Sequence, residues 1–148
     1  MSKHIHKSHN VSLLRYHIVC PAKYRRVVFT EEVDQILRTV CSEIAKRYEI
    51  IFLEIGTDKD HVHFLVQTVP MYSPTKVVRV IKSITAREVF RQMPSVKKQL
   101  WGGQFWSDGY YISTVGRHGS EEEIRRYVAC QRREEEYTIL DEQQLKLF

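Results

Sequence analysis

Long apolar runs are missing from this chain. Stretches such as Glu49-Ile50-Ile51-Phe52-Leu53 are interrupted by charge, well short of the roughly 20 residues that a bilayer span requires, so no membrane-spanning helix is expected. The opening Met1-Ser2-Lys3-His4-Ile5-His6-Lys7-Ser8-His9 is polar and lacks the apolar core of a secretory signal; a cytoplasmic location is the expectation. Cysteine is sparse. Cys20, Cys41 and Cys130 are odd in number, far apart and set among apolar neighbours, which fits neither a disulfide framework nor a zinc knuckle. They read as reduced core residues. Internal repeats and low-complexity segments are also absent, which argues against a solenoid or a disordered chain.

What is present is the composition of an ordinary globular domain. Of 148 residues, 43% are hydrophobic and 28% charged, and a chain of this length suits one core. The net charge is +5. That permits a polyanionic partner without proving one, but the distribution sharpens it. Acidic residues crowd Glu121-Glu122-Glu123 and Glu134-Glu135-Glu136, so the rest of the chain is more basic than the total suggests.

Periodicity divides the chain into elements. Val11 to Cys20 is rich in β-branched, aromatic and leucine residues and is bounded by Pro21, the mark of a strand. Thr30 then precedes Glu31-Glu32 and the stripe Val33, Ile36, Leu37, Val40, Cys41, Ile44, which predicts a capped helix to about Tyr48. Ile50 to Gly56 and His61 to Val69 read as strands joined by a short polar connection. Ser73-Pro74 supplies an N-cap and a first-turn proline for a second helix to about Arg91, which Pro94 ends. A short basic segment follows, and Tyr110 to Val115 makes a fourth strand. Gly119-Ser120 with Glu123 resembles a capping box, and Ile124, Tyr127, Val128 and Gln131 share one face of the helix it would start.

The order strand, helix, strand, strand, helix, strand predicts an α+β fold, a ferredoxin-like split βαβ unit. It carries a four-stranded antiparallel sheet with two helices on one face, plus a C-terminal helix with the tyrosine. Residues 1–8 are expected as a flexible tail, 9–137 as the domain and 138–148 as a C-terminal extension. His4, His6 and His9 fall in that tail and are read as disordered rather than as metal ligands.

Two groups of residues carry chemistry by type. In Asp60-His61-Val62-His63-Phe64 the imidazoles alternate with apolar residues on a strand, so both project from one face with Cα atoms about 7 Å apart. They can share one ion, while Val62 and Phe64 point toward the helices. The alternative is a pair of surface histidines on an open sheet face, since two ligands do not define a metal site. Tyr127 and Gln131 lie one helical turn apart. A phenol with pKa near 10 is a poor nucleophile unless a cation assists it; the alternative is a packing tyrosine beside a solvated glutamine. Tyr137, Tyr110 and Tyr111 compete by residue type, without so well placed a polar partner.

The ordered set resembles single-tyrosine transposases of the HUH superfamily, the insertion-sequence type that moves as single-stranded DNA. The resemblance rests on Tyr16-His17-Ile18-Val19 leading to Lys23-Tyr24-Arg25-Arg26, on Asp60-His61-Val62-His63, on Lys82-Ser83, on Leu100-Trp101-Gly102-Gly103 with Trp106, and on Tyr127-Val128-Ala129-Cys130-Gln131. It implies His61, His63 and Gln131 as ligands of Mg²⁺ or Mn²⁺, and Tyr127 as the nucleophile that forms a 5′-phosphotyrosine. It further implies DNA hairpins at transposon ends as the substrate, and no nucleotide cofactor. A homodimer with joined sheets is also implied, the tyrosine helix completing the partner's site.

Recognition needs a second surface. Lys23, Arg25 and Arg26 after the first strand, and Lys76, Arg79, Lys82, Arg87 and Arg91 on the second helix, are candidates for phosphate contacts, with solvated helix charge as the alternative. Trp101, Phe105 and Trp106 are candidates for stacking on unpaired bases or for packing in the core or a dimer. Two rival functions remain. Split βαβ folds also bind single-stranded RNA, though usually through aromatics on the central strands, where this chain carries histidines. A domesticated relative that keeps hairpin binding alone would not need His61, His63, Tyr127 and Gln131 together.

Overall fold

The computed structural model describes residues 3–101 and 103–116. Within them the elements run β1 (Ile5–His6), β2 (Val11–Ser12), β3 (Leu14–Pro21), a 3-10 turn (Lys23–Arg25), α1 (Glu31–Arg47), β4 (Ile50–Thr57), β5 (His61–Thr68), α2 (Pro74–Gln92), α3 (Pro94–Gln99) and β6 (Tyr111–Thr114). Four strands form one antiparallel sheet in the order β4-β5-β3-β6, the predicted α+β arrangement.

Local chemistry explains the helix boundaries. The Thr30 side chain accepts the Val33 N–H at 3.3 Å and starts α1. Ser73 does the same for Lys76 at 3.1 Å, with Pro74 in the first turn of α2. Each cap satisfies an N–H that the helix cannot pair internally. Both helices bury their apolar stripes on one face of the sheet, Val33, Leu37, Val40 and Ile44 from α1 and Val77, Ile81 and Val89 from α2, against Ile18, Cys20, Val62, Phe64 and Val66. A register shift between Phe52 and Glu54 inserts Leu53 into the edge strand β4, a bulge of the kind that twists a sheet edge.

Three details depart from expectation. The first strand is divided, because Val11–Ser12 pairs with Ile5–His6 rather than with the main sheet. Within the segment expected as a tail, Ile5–His6 is thereby one strand of a small hairpin, residues 1–2 lying outside the described residues. It is tied down by an ion pair between Lys7 and Glu49 and by the Gln67 amide donating to the Lys3 carbonyl at 2.6 Å. Cross-strand and side-chain bonds between distant segments produce that order, and no local pattern announces them. The basic segment after Pro94 is helical as α3, with Val96 buried and Lys97 and Lys98 in its last turn. The expected tyrosine helix and the extension 138–148 lie outside the described residues.

Candidate functional site

Alternation along β5 decides what the site is made of. Val62, Phe64 and Val66 point into the helix-covered core, and His61, His63, Leu65 and Gln67 take the opposite face. That face is not open at the histidines: His61 is 1% exposed and His63 fully buried. A buried polar ring must be hydrogen-bonded or liganded, so the alternative of solvated surface histidines does not apply. The ring centroids stand 4.8 Å apart.

Each ring has its Nδ1 engaged. The Nδ1 of His61 lies 2.9 Å from Oδ1 of Asp60, whose Oδ2 in turn receives Nε of Arg25 at 3.4 Å. Burial alone would raise the Asp60 carboxyl, but the His61 hydrogen bond and the Arg25 charge outweigh it and hold it below its ordinary value. Ionised Asp60 therefore accepts from Nδ1 of His61, which leaves Nε2 as the ring nitrogen that can bind a ligand. Oδ2 of Asp58 stands 4.0 Å from that Nε2.

His63 is held from the neighbouring strand. Its Nδ1 lies 3.1 Å from Nε2 of His17, and the two rings stack with centroids 5.4 Å apart and planes 13° from parallel. Burial pushes the His17 imidazole down to about 4, so at neutral pH it is uncharged and one of its nitrogens accepts. When Nδ1 of His63 donates to Nε2 of His17, Nε2 of His63 is the nitrogen left to bind a ligand. The site thus consists of two buried imidazoles with both Nδ1 atoms committed elsewhere. Such a donor pair fits one divalent ion and leaves coordination positions open. Among the described residues no group of three or more His, Cys, Asp or Glu could hold a metal by itself.

The other predicted site residues fall into separate places. Arg25 sits beside the histidines through Asp60. Lys23 and Arg26 flank it, Lys23 with its ammonium 5.4 Å from the Tyr24 ring centroid and Arg26 with its guanidinium 4.6 Å from that of Trp101. The cations of α2 lie on the far side, since α2 packs on the sheet face opposite the histidines. Arg79 and Arg87 are exposed there. Lys82 instead acts as a strut, its ammonium donating to the carbonyls of Ser107 at 2.6 Å and Asp108 at 3.3 Å. Phe105 and Trp106 are core residues, and Trp106 donates through Nε1 to the Thr85 hydroxyl at 2.9 Å; of the three candidates for base stacking, Trp101 alone is exposed. Tyr127 and Gln131 lie outside the described residues.

His17, Asp58 and Asp60 were not singled out from sequence as site residues. The Asp60 contact follows from adjacency in the chain. That of His17 is made by strand register, with Val19 opposite His63 and His17 opposite Leu65, which no local motif encodes.

Comparison with known proteins gives a consistent picture. Residues 10–131 match the family model described as IS200-like transposase. The chain is 31% identical over 118 residues to the ISDra2 transposase TnpA of Deinococcus radiodurans, covering 80% of this chain and 84% of that protein. It is 27% identical over 121 residues to the transposase for insertion sequence element IS200 of Salmonella typhimurium, covering 82% and 78%. Among solved structures, a candidate transposase from Deinococcus radiodurans R1 superposes with a TM-score of 0.69 at 29% identity over 88% of this chain and 98% of that one. A REP-associated tyrosine transposase bound to a REP hairpin shares the fold, with a TM-score of 0.54 at 12% identity over 86% and 68%.

Proposed function

The chain belongs to the IS200-like transposase family, and on that premise we propose that it cuts and rejoins single-stranded DNA at transposon ends with Tyr127 as nucleophile. The observation that carries the reading is the buried pair His61 and His63, each with its Nδ1 committed to a partner.

In this reading His61, His63 and Gln131 hold Mg²⁺ or Mn²⁺. When bound, that ion supplies Lewis-acid polarisation of the scissile phosphate. Asp60 and His17 hold the two imidazoles by their Nδ1 atoms, which fixes how the rings are turned and leaves Nε2 of each as the donor to the ion. The Tyr127 oxygen forms a bond to phosphorus as the bond to the 3′-oxygen breaks, and the phenolic proton is lost while the departing 3′-oxygen gains one. The product is a 5′-phosphotyrosine and a free 3′-hydroxyl. Attack by another 3′-hydroxyl reverses the exchange and releases the phenol, so strands are resealed without nucleotide hydrolysis.

The substrate in this proposal carries a hairpin beside the cleavage point. A protein of the same fold bound to a REP hairpin is the precedent. Lys23, Arg25 and Arg26 contribute phosphate contacts beside the histidines, with Arg79 and Arg87 available for a more distant stretch of backbone. The protein acts as a homodimer with joined sheets, and Tyr127 completes the partner's site.

The test uses the full chain, Mn²⁺ and single-stranded DNA carrying the element's end. A covalent adduct that survives denaturing electrophoresis is expected, absent with EDTA or in Tyr127→Phe. His61→Ala should lose cleavage and keep hairpin binding nearly intact. An adduct that persists in Tyr127→Phe and disappears in Tyr137→Phe would assign the nucleophile elsewhere.

A further inference from the structure

The described residues hold three non-glycine positions in the left-handed region of backbone space, Tyr24 at φ 58°, Arg25 at 54° and Trp101 at 56°. Such residues cost free energy relative to ordinary backbone and persist where the surrounding structure imposes them. Tyr24 and Trp101 meet on one surface, though their segments are remote in sequence, and Arg25 follows Tyr24 in the chain. The Tyr24 and Trp101 rings stand 5.4 Å apart, tilted by 52°. Tyr24 is 59% exposed and Trp101 70%. The exposure is not slackness. The Gln99 amide donates to the Val27 carbonyl at 3.2 Å, and the Lys23 N–H to the Phe105 carbonyl at 2.9 Å, fastening the two segments together.

The surroundings of the rings select an occupant. Arg26 and Lys23 lie over them, at 4.6 Å from the Trp101 centroid and 5.4 Å from that of Tyr24. Flat π surfaces interleaved with cations match a base followed by its phosphate, since every base has a π face and every linkage a negative charge. A duplex hides its base faces, so the fitting form is unpaired. The surface also adjoins the histidines, for Pro21 pairs with His61 across the sheet and Arg25 contacts Asp60, the partner of His61.

We propose that Trp101 and Tyr24 form a stacking platform for one unpaired base of single-stranded DNA, with Arg26 and Lys23 on its flanking phosphates, so that the adjoining backbone is delivered to His61 and His63. The proposal rests on the transposase reading and specifies how that site orders its strand.

The chain has two tryptophans, one exposed and one buried, which makes intrinsic fluorescence a direct readout. Full-length protein in EDTA, where no cleavage occurs, is titrated with an oligo-dT strand, with a blunt duplex and with a hairpin bearing a single-stranded tail. The dT strand should quench Trp101 emission strongly and the duplex weakly. Trp101→Leu should remove the quench and weaken dT binding by about tenfold or more, with an unchanged melting temperature because the side chain is exposed. Trp101→Phe should restore most of the affinity. Arg26→Gln should lower the slope of log affinity against log salt by about 0.7, the single-strand value per phosphate contact.

Unchanged dT affinity in Trp101→Leu, or a quench that survives in it and so belongs to Trp106, would overturn the platform. A Trp101→Leu variant that changes oligomeric state and keeps its DNA affinity would assign the surface to a protein partner, which also overturns it. If the tailed hairpin binds tightly without engaging Trp101, the platform falls and the transposase reading stands. If the wild-type protein binds none of the three, both fall.

Discussion

Two hydrogen bonds decide the chemistry of two imidazoles. His61 is turned by a carboxylate and His63 by a second imidazole, so the two proposed ligands are oriented by different means. A partner that fixes the tautomer and raises ligand basicity typically contributes 10- to 100-fold to metal affinity, roughly, when removed. Asp60→Asn should therefore raise the half-saturating Mn²⁺ concentration about tenfold or more, read by titration calorimetry on the isolated protein, with the thermal midpoint little changed. His17→Leu should do likewise, and His17→Gln, whose amide oxygen can accept the Nδ1–H of His63, should recover part of the loss. Wild-type Mn²⁺ affinity in both Asp60→Asn and His17→Leu would show that neither partner orients a ligand. The histidine pair itself was legible in sequence, because alternation on a strand puts positions i and i+2 on one face. The part played by His17 was not, since its contact with His63 spans 46 residues and depends on the register of β3 against β5.

Elements transmit that geometry to the rest of the fold. The segment carrying Trp101 and Trp106 is bound to α2 by the Trp106 Nε1–H donating to Thr85, whose own hydroxyl donates to the Ile81 carbonyl at 2.6 Å. Both side chains are buried, so loss of the acceptor leaves an indole N–H without a partner in the core. Thr85→Val, nearly identical in shape, should cost about 1–3 kcal/mol, measured by urea denaturation monitored at Trp106; no change in midpoint would mean that the indole finds another acceptor. Helices α1 and α2 were readable because caps and apolar stripes are local signals, as at Thr30 and Ser73. The Ile5–His6 hairpin and the strut from Lys82 to the 107–108 carbonyls were hidden, because backbone pairing and a long side chain's reach leave no period in the sequence. Trp106 reads in sequence as an aromatic beside Trp101 and Phe105, and only packing separates the buried residue from the exposed one.

At the scale of the whole molecule the sheet divides the protein into a helix-covered face and a histidine face. The proposed dimer brings a tyrosine from one copy to the histidines of the other. Subunit mixing tests this: Tyr127→Phe and His61→Ala are each expected to be inactive alone. A mixed dimer regains one intact site only if Tyr127 serves the partner, so recovered cleavage after mixing supports action in trans and its absence places Tyr127 beside its own histidines. Charge at this scale is also asymmetric, with Lys23, Arg25 and Arg26 near the site and the glutamate runs beyond it in sequence. The most direct measurement of the central chemistry is the site of attachment. Trypsin cuts after Arg126 and Arg132, releasing Tyr127 in a peptide that contains no other tyrosine, while Tyr137 falls in a separate peptide. Mass spectrometry of the nuclease-trimmed adduct should find the nucleotide phosphate on residues 127–132; its presence on the Tyr137 peptide, or on neither, would contradict the account.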